Sequence, residues 1–106
     1  MKRELGTLGL CRKAGKLLYG FDSVTDEIKK PNGAAAGVIL AEDLSEKSKK
    51  EVRYVCEKYG VSVCLPHITM DEIKEIIGKH TGILAVLDEG LFTALKNTTE
   101  KLGDIE

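Results

Sequence analysis

The chain has 106 residues, 42% of them hydrophobic and 31% charged, which predicts one globular domain with a modest core. It contains no apolar run near the ~20 residues that cross a bilayer. No apolar segment follows its charged N-terminus either, so we expect a cytoplasmic protein without membrane contact. The three cysteines, Cys11, Cys56 and Cys64, form no CxxC pair. This odd number argues against a disulfide framework or a zinc knuckle and predicts buried thiols.

The formal net charge of −1 conceals an uneven distribution. Residues 1–30 carry seven cations and four anions, a net charge of +3, whereas the rest of the chain carries nine cations and thirteen anions, a net charge of −4. A small basic face on a weakly acidic protein favours a compact nucleic-acid site. The alternative is that these charges only form a solvated surface.

Apolar spacing predicts five helices that alternate with four short strands. The helices are expected over residues 2–13, between Phe21 and Pro31, near residues 45–59, from Thr69 to Gly78 and around Leu91 to Leu95, and the strands over residues 16–19, 37–41, 61–65 and 83–87. Asp43 with Glu46 predicts the start of the third helix, and Thr69 with Glu72 predicts a capping box. Residues 1–98 form the predicted domain, and residues 99–106 a frayed polar tail.

This alternation predicts an α/β domain whose four-stranded sheet is mostly parallel and lies between helices. In such a layer the turns at the carboxyl ends of the strands gather at one rim, where ligands usually bind. We expect residues 19–23, 42–45 and 65–69 there. Lys13 and Lys16 are expected to border this rim, with Lys29 and Lys30 further along the second helix.

No catalytic motif accompanies these features. The chain has no Gly-rich phosphate loop and no GxSxG segment to pair with His67 or His80. The spacing of Cys64 and His67 could hold a metal, but two ligands do not make a site. Glu42 and Asp43 could act as an acid/base pair or, as we favour, cap a helix. We therefore expect no enzyme, no metal and no cofactor.

Three stretches of the sequence resemble one family of small RNA-binding proteins. They are LGLCRKAGKLLYGFDSV, AGVILAEDLSEKSKKEVRYVCEKYGV and IIGKHTGILAVLDEGLFTAL, and together they span nearly all of residues 3–96. Their order and spacing are similar to those of the kink-turn RNA-binding ribosomal proteins (large-subunit proteins L-seven-Ae and L-thirty-e), in the small bacterial YlxQ-like branch. The resemblance implies a three-layer α-β-α sandwich with a mixed sheet and a non-enzymatic protein associated with the ribosome.

The family carries a Gly-x-Asn-Glu-x-x-Lys signature that reads the sheared G·A pairs of a kink-turn. Its positions here are Gly20 to Asp26, and only the glycine matches. Asp22 accepts but cannot donate as an amide does, Ser23 shortens the glutamate, and Asp26 reverses the charge of the lysine. A mismatched polar group at a base edge costs ~1–3 kcal/mol.

The resemblance and the charge distribution together predict a site for structured RNA, either a kink-turn or ribosomal RNA. Its expected residues are Lys13, Lys16, Gly20, Phe21, Asp22, Ser23, Asp26, Lys29, Lys30, Glu42, Asp43, Pro66, His67 and Ile68. We expect a monomer that also contacts ribosomal or RNA-processing proteins. The alternative hypothesis is a protein-interaction scaffold of the same fold that has lost kink-turn readout, because two carboxylates on this face would repel phosphate.

Overall fold

The computed structural model describes residues 2–104, with side chains described over residues 2–98. Five helices alternate with four strands, as the apolar spacing predicts. In chain order they are α1 (Arg3–Lys13), β1 (Leu17–Tyr19), α2 (Phe21–Lys29), β2 (Gly37–Leu40), α3 (Glu46–Tyr59), β3 (Ser62–Cys64), α4 (Met70–Ile77), β4 (Ile83–Val86) and α5 (Glu89–Asp104). Helix α5 continues to Asp104, through residues expected to be a frayed tail. No helix in the described part of the chain is long and apolar enough to span a membrane.

Local capping explains where the two middle helices begin and end. Thr69 and Glu72 form the predicted capping box of α4, each bonding to the other's backbone N–H. Helix α3 instead starts at Ser45, whose hydroxyl accepts the N–H of Ser48, so the start predicted from Asp43 and Glu46 is two residues early. Gly60 ends α3 with a φ of 71°, a left-handed conformation that glycine adopts without strain.

The sheet has the order β1-β4-β2-β3 and is mixed. Strands β2 and β3 pair in parallel, whereas β4 pairs antiparallel to both β1 and β2. Two of the three strand pairs are antiparallel, so the prediction of a mostly parallel sheet from the alternation of elements is wrong. The mixed sheet implied by the family resemblance is confirmed. Strands β1, β2 and β3 still point in one direction, and β4 alone is reversed.

Two apolar layers hold helices on opposite faces of the sheet. Helices α1, α4 and α5 pack on the face that includes Ile39 and Leu84, and helices α2 and α3 pack on the face that includes Val38 and Ala85. This arrangement is the three-layer α-β-α sandwich. All three cysteines are buried, and none of them forms a disulfide. Burial raises the pKa of Cys11 and of Cys56 from 9.0 to about 11.

Candidate nucleic-acid interface

Four segments meet at one end of the sheet, which we call the rim: residues 19–23, 42–45, 65–69 and 78–82. Three backbone hydrogen bonds fasten them. The N–H of Gly20 donates to Ile83 O at 3.0 Å, the N–H of Ala41 to Gly82 O at 2.9 Å, and the N–H of Glu42 to Ile68 O at 2.8 Å. The three turns predicted from strand direction thus lie together, and the segment before the reversed strand β4 joins them.

The turn before α2 leaves open space at the rim. Gly20 has a φ of 93°, which strains any residue with a side chain, and a Cβ placed there would meet no atom within 4 Å. No side chain caps the N-terminus of α2. The first N–H groups of this helix therefore have no side-chain acceptor at Gly20, and an acceptor group of a partner could approach them.

The first two turns of α2 carry the signature positions on an exposed surface. Asp22, Ser23 and Asp26 are all exposed, and Asp22 and Asp26 share one helix face because they are four residues apart. Phe21 is 39% exposed, and Tyr19, on the other side of Gly20 in sequence, is 42% exposed. The aromatic pair that flanks the open glycine is available to a partner. Tyr19 was not among the predicted site residues.

The Glu42–Asp43 turn is fixed by its own hydrogen bonds. The Oδ1 atom of Asp43 accepts the backbone N–H of Met70 at 2.9 Å, so this carboxylate caps the start of α4. The ammonium of Lys49 donates to the carbonyl of Glu42 at 2.9 Å, and Glu42 Oε2 lies 3.4 Å from His67 Nδ1. The cap interpretation of Asp43 is supported, although the helix capped is α4 rather than the one that follows next in sequence.

The loop after β3 presents fewer groups than the sequence predicts. Pro66 and Ile68 are fully buried, so their side chains belong to the core and cannot line a binding surface. His67 between them is 80% exposed at its side chain, and Leu65 is 38% exposed. Alternation along the loop explains the difference, because every second residue turns inward. Leu65 is an exposed rim residue that the sequence interpretation missed.

The four lysines of the predicted site do not reach the rim. Strand β1 lies between Lys16 and Gly20 and spans about 10 Å. The carbonyl of Lys16 accepts the N–H of Leu87, just beyond the carboxyl end of β4, at 2.9 Å. Lys13 precedes it at the end of α1. The prediction that Lys13 and Lys16 border the rim is therefore wrong.

Helix α2 carries Lys29 and Lys30 away from the rim to the opposite end of the sheet, where Lys16 lies. We call this the far end. Lys30 is paired with Glu27 at 3.2 Å, and the other oxygen of Glu27 accepts the N–H of Ala34 at 2.8 Å. The hydrogen bond from the Ala34 N–H has the largest effect on the pKa of Glu27 and lowers it, and the hydrogen bond from Lys30 lowers it further. A cleft of about 260 Å³ at this end is lined partly by Glu27, Lys30 and Tyr59. The carboxylate of Glu27 in this cleft is already bound by Lys30 and by the Ala34 N–H.

Two other lysines, Lys47 and Lys79, supply positive charge at the rim. Lys47 lies in the first turn of α3, and Lys79 and His80 lie in the segment that leads into β4. His80 Nε2 is 3.4 Å from Asp71 Oδ1, in the first turn of α4, which places this segment beside the start of that helix. Residue spacing gives no signal for Lys79, because its place depends on the reversed direction of β4.

The described residues do not form a catalytic or metal-binding constellation. No group of three or more His, Cys, Asp or Glu side chains within residues 2–98 could hold a metal ion. His67 and His80 each lie beside one carboxylate and are 80% and 54% exposed. Neither imidazole is enclosed by the surrounding side chains.

Residues 4–96 match the model of the Ribosomal protein L7Ae/L30e/S12e/Gadd45 family. The match covers most of the chain, so the protein belongs to this family. A similar solved structure is that of a protein with unknown function from Bacillus halodurans C, at 28% sequence identity and a TM-score of 0.85. The similarity covers 94% of this chain and 99% of that one. No curated protein matches the chain.

Proposed function

We propose that this protein binds structured RNA, a kink-turn or a segment of ribosomal RNA, at the rim. The observation that carries the proposal is family membership over residues 4–96 together with a rim whose open position is Gly20. The family is one of non-enzymatic, ribosomal-type RNA-binding proteins. The same inference extends to a cytoplasmic monomer associated with the ribosome, in contact with ribosomal or RNA-processing proteins.

The rim provides the kinds of group that shape-dependent RNA recognition needs. Asp22 and Ser23 offer acceptors, and Ser23 also a donor, beside the uncapped start of α2. Gly20 lets the RNA backbone approach, and Phe21 offers a ring on which an unpaired base can stack. Lys47 and Lys79, in place of the far-end lysines, are the cations positioned to contact phosphates. Glu42 and His67 form the other side of the surface.

A second candidate function has its own observation in its favour. The rim exposes Tyr19, Phe21 and Leu65, three large apolar side chains, near the carboxylates of Asp22 and Asp26. Apolar groups with acidic neighbours suit a protein partner better than a phosphate backbone. This alternative is a protein-interaction scaffold that has lost kink-turn readout. Partners that remain bound in a pull-down after nuclease treatment would favour it, and partners released by nuclease favour RNA.

The direct test is calorimetric titration of the protein with a kink-turn RNA and with a duplex of equal length that lacks the kink. Both titrations are repeated at several salt concentrations, since phosphate contacts weaken as salt rises. The proposal expects tighter binding of the kink-turn RNA than of the duplex. Absence of binding to both RNAs at low salt overturns it.

A further inference from the structure

One face of α3 carries an exposed row of cations with a tyrosine among them. Lys47, Lys50, Tyr54 and Lys58 follow at spacings of three, four and four residues, which places them along one side of the helix. Val52 and Cys56 lie on the buried side. Tyr54 is 67% exposed, more than any other large apolar side chain described over residues 2–98. Arg53 stands beside the row, three residues after Lys50.

Most cations of this face are free to bind a partner. Within residues 2–98, the side chains of Lys47, Lys50 and Arg53 form no ion pair or hydrogen bond, and Lys58 lies 5.8 Å from the ring of Tyr59. Lys49, by contrast, is held by Glu42 and Glu46. Glu51 and Glu57 flank the row, so its local net charge is moderate. Such a row suits a narrow anionic strand rather than a broad anionic surface.

The row begins at the rim and leads away from it. Lys47 lies in the first turn of α3, next to the rim, and Lys58 lies about 16 Å further along the helix axis. A strand that leaves an RNA bound at the rim can therefore follow α3. Phosphates would meet Lys50 and Arg53, and an unpaired base can stack on the exposed Tyr54 ring.

We propose that this face of α3 binds single-stranded RNA as a second contact, an inference that rests on the RNA-binding function proposed for the rim. An acidic protein segment is the competing occupant. The observation that favours RNA is Tyr54, because base–aromatic stacking accounts for a bare ring surrounded by unpaired cations. An acidic peptide would use the cations but gain little from the ring.

The test uses the full chain and a fluorescent single-stranded oligouridine, followed by anisotropy from low to moderate salt. Tyr54→Ala is expected to weaken binding about 5- to 150-fold, the range for loss of one stacked base. Lys50→Gln/Arg53→Gln is expected to reduce the slope of log K against log salt by about 1.4, or 0.7 per lost phosphate contact. Leu10→Ala and Lys13→Gln/Lys74→Gln are matched controls away from α3 and should bind like the wild type.

Parallel titrations separate this inference from the function proposed for the rim. A kink-turn RNA without a single-stranded extension should bind the Tyr54 and Lys50/Arg53 variants as it binds the wild type. Oligouridine binding that depends on Tyr54 supports the α3 site even if the kink-turn RNA does not bind. No oligouridine binding at low salt overturns it, as does oligouridine binding that both α3 variants retain. Polyglutamate that binds this face while oligouridine does not, or with oligouridine binding that Tyr54→Ala leaves unchanged, overturns it in favour of an acidic protein.

Discussion

The carboxylate of Asp43 caps the first N–H of α4, 2.9 Å from the backbone nitrogen of Met70 and 27 residues away in sequence. This bond joins the turn after β2 to the helix after β3. Both segments belong to the rim, and a cap between them fixes their relative position. Asp43 therefore has a structural partner already, and its role in the fold is to hold these two segments together.

Replacing Asp43 by alanine should destabilise the fold by about 1 kcal/mol, the usual cost of losing a helix cap. Asp43→Asn keeps an acceptor oxygen and should cost less. Chemical denaturation followed by circular dichroism measures both. Equal stability of the alanine variant and the wild type would contradict the capping role.

Neutralising a pair of lysines at either end of the molecule tests which cations contact RNA. Lys47→Gln/Lys79→Gln removes two charges at the rim, and Lys13→Gln/Lys16→Gln removes two at the far end. The rim pair should weaken binding of structured RNA and reduce its salt dependence by about 0.7–0.9 per contact, and the far-end pair should change neither. The reverse outcome would move the RNA site to the far end.

Restoring the family chemistry on α2 should strengthen kink-turn binding. The triple variant Asp22→Asn, Ser23→Glu, Asp26→Lys regains an amide donor and a cation at exposed positions, so the core is not disturbed. Because Asp26→Lys changes the local charge by +2, the gain in affinity should shrink as salt rises. Unchanged affinity with a native circular dichroism spectrum would mean that this part of α2 does not read the RNA.

Two glycines should respond in opposite ways to alanine. A Cβ at Gly33 would lie 2.2 Å from the carbonyl oxygen of Glu27, so Gly33→Ala should destabilise the protein by about 1–3 kcal/mol. A Cβ at Gly6 meets nothing within 4 Å, and Gly6→Ala should stabilise α1 by about 0.5–1 kcal/mol. Denaturant midpoints measure both changes. Equal midpoints for the two variants would contradict the close approach at Gly33.

Alkaline pH should destabilise the protein through its buried thiols. Cys11 and Cys56 keep their protons up to about pH 11 in the folded state, whereas the unfolded thiols lose theirs near 9.0. The unfolded state then binds fewer protons, so stability should be unaffected by these groups below pH 9.0 and fall as pH rises toward 11. Cys11→Ala/Cys56→Ala should show a shallower fall than the wild type. An identical pH dependence would exclude this mechanism.

The order of elements could be predicted from the sequence because each has a local cause. The apolar spacing of α1 and α3 and the Thr69–Glu72 capping box are read directly from residue types. The gathering of three turns at one rim also follows, since a helix between two strands returns the chain to start the next strand in the same direction.

Strand direction at β4 could not be predicted from its residues. Ile83 to Val86 are all buried, and a strand covered on both faces has the same apolar run in either direction. This one reversal brings residues 78–82 to the rim, which is why Lys79 was missed. Placing Lys13 and Lys16 correctly requires knowing the length of β1 and that the strand begins at the end of the sheet opposite the rim. Burial of Pro66 and Ile68 depends on the path of a loop, for which periodicity gives no information.

The central place of β4 also sets the order of events during synthesis. In the sheet, β4 separates β1 from β2, and β1 finds its hydrogen-bonded neighbour only in residues 84–86. A nascent chain that has not yet reached these residues holds β1 without that partner, and closing the sheet must join segments about 70 residues apart. The sheet therefore closes only after residues 84–86 have been synthesised, and an RNA that needs the assembled rim can bind only from that point on.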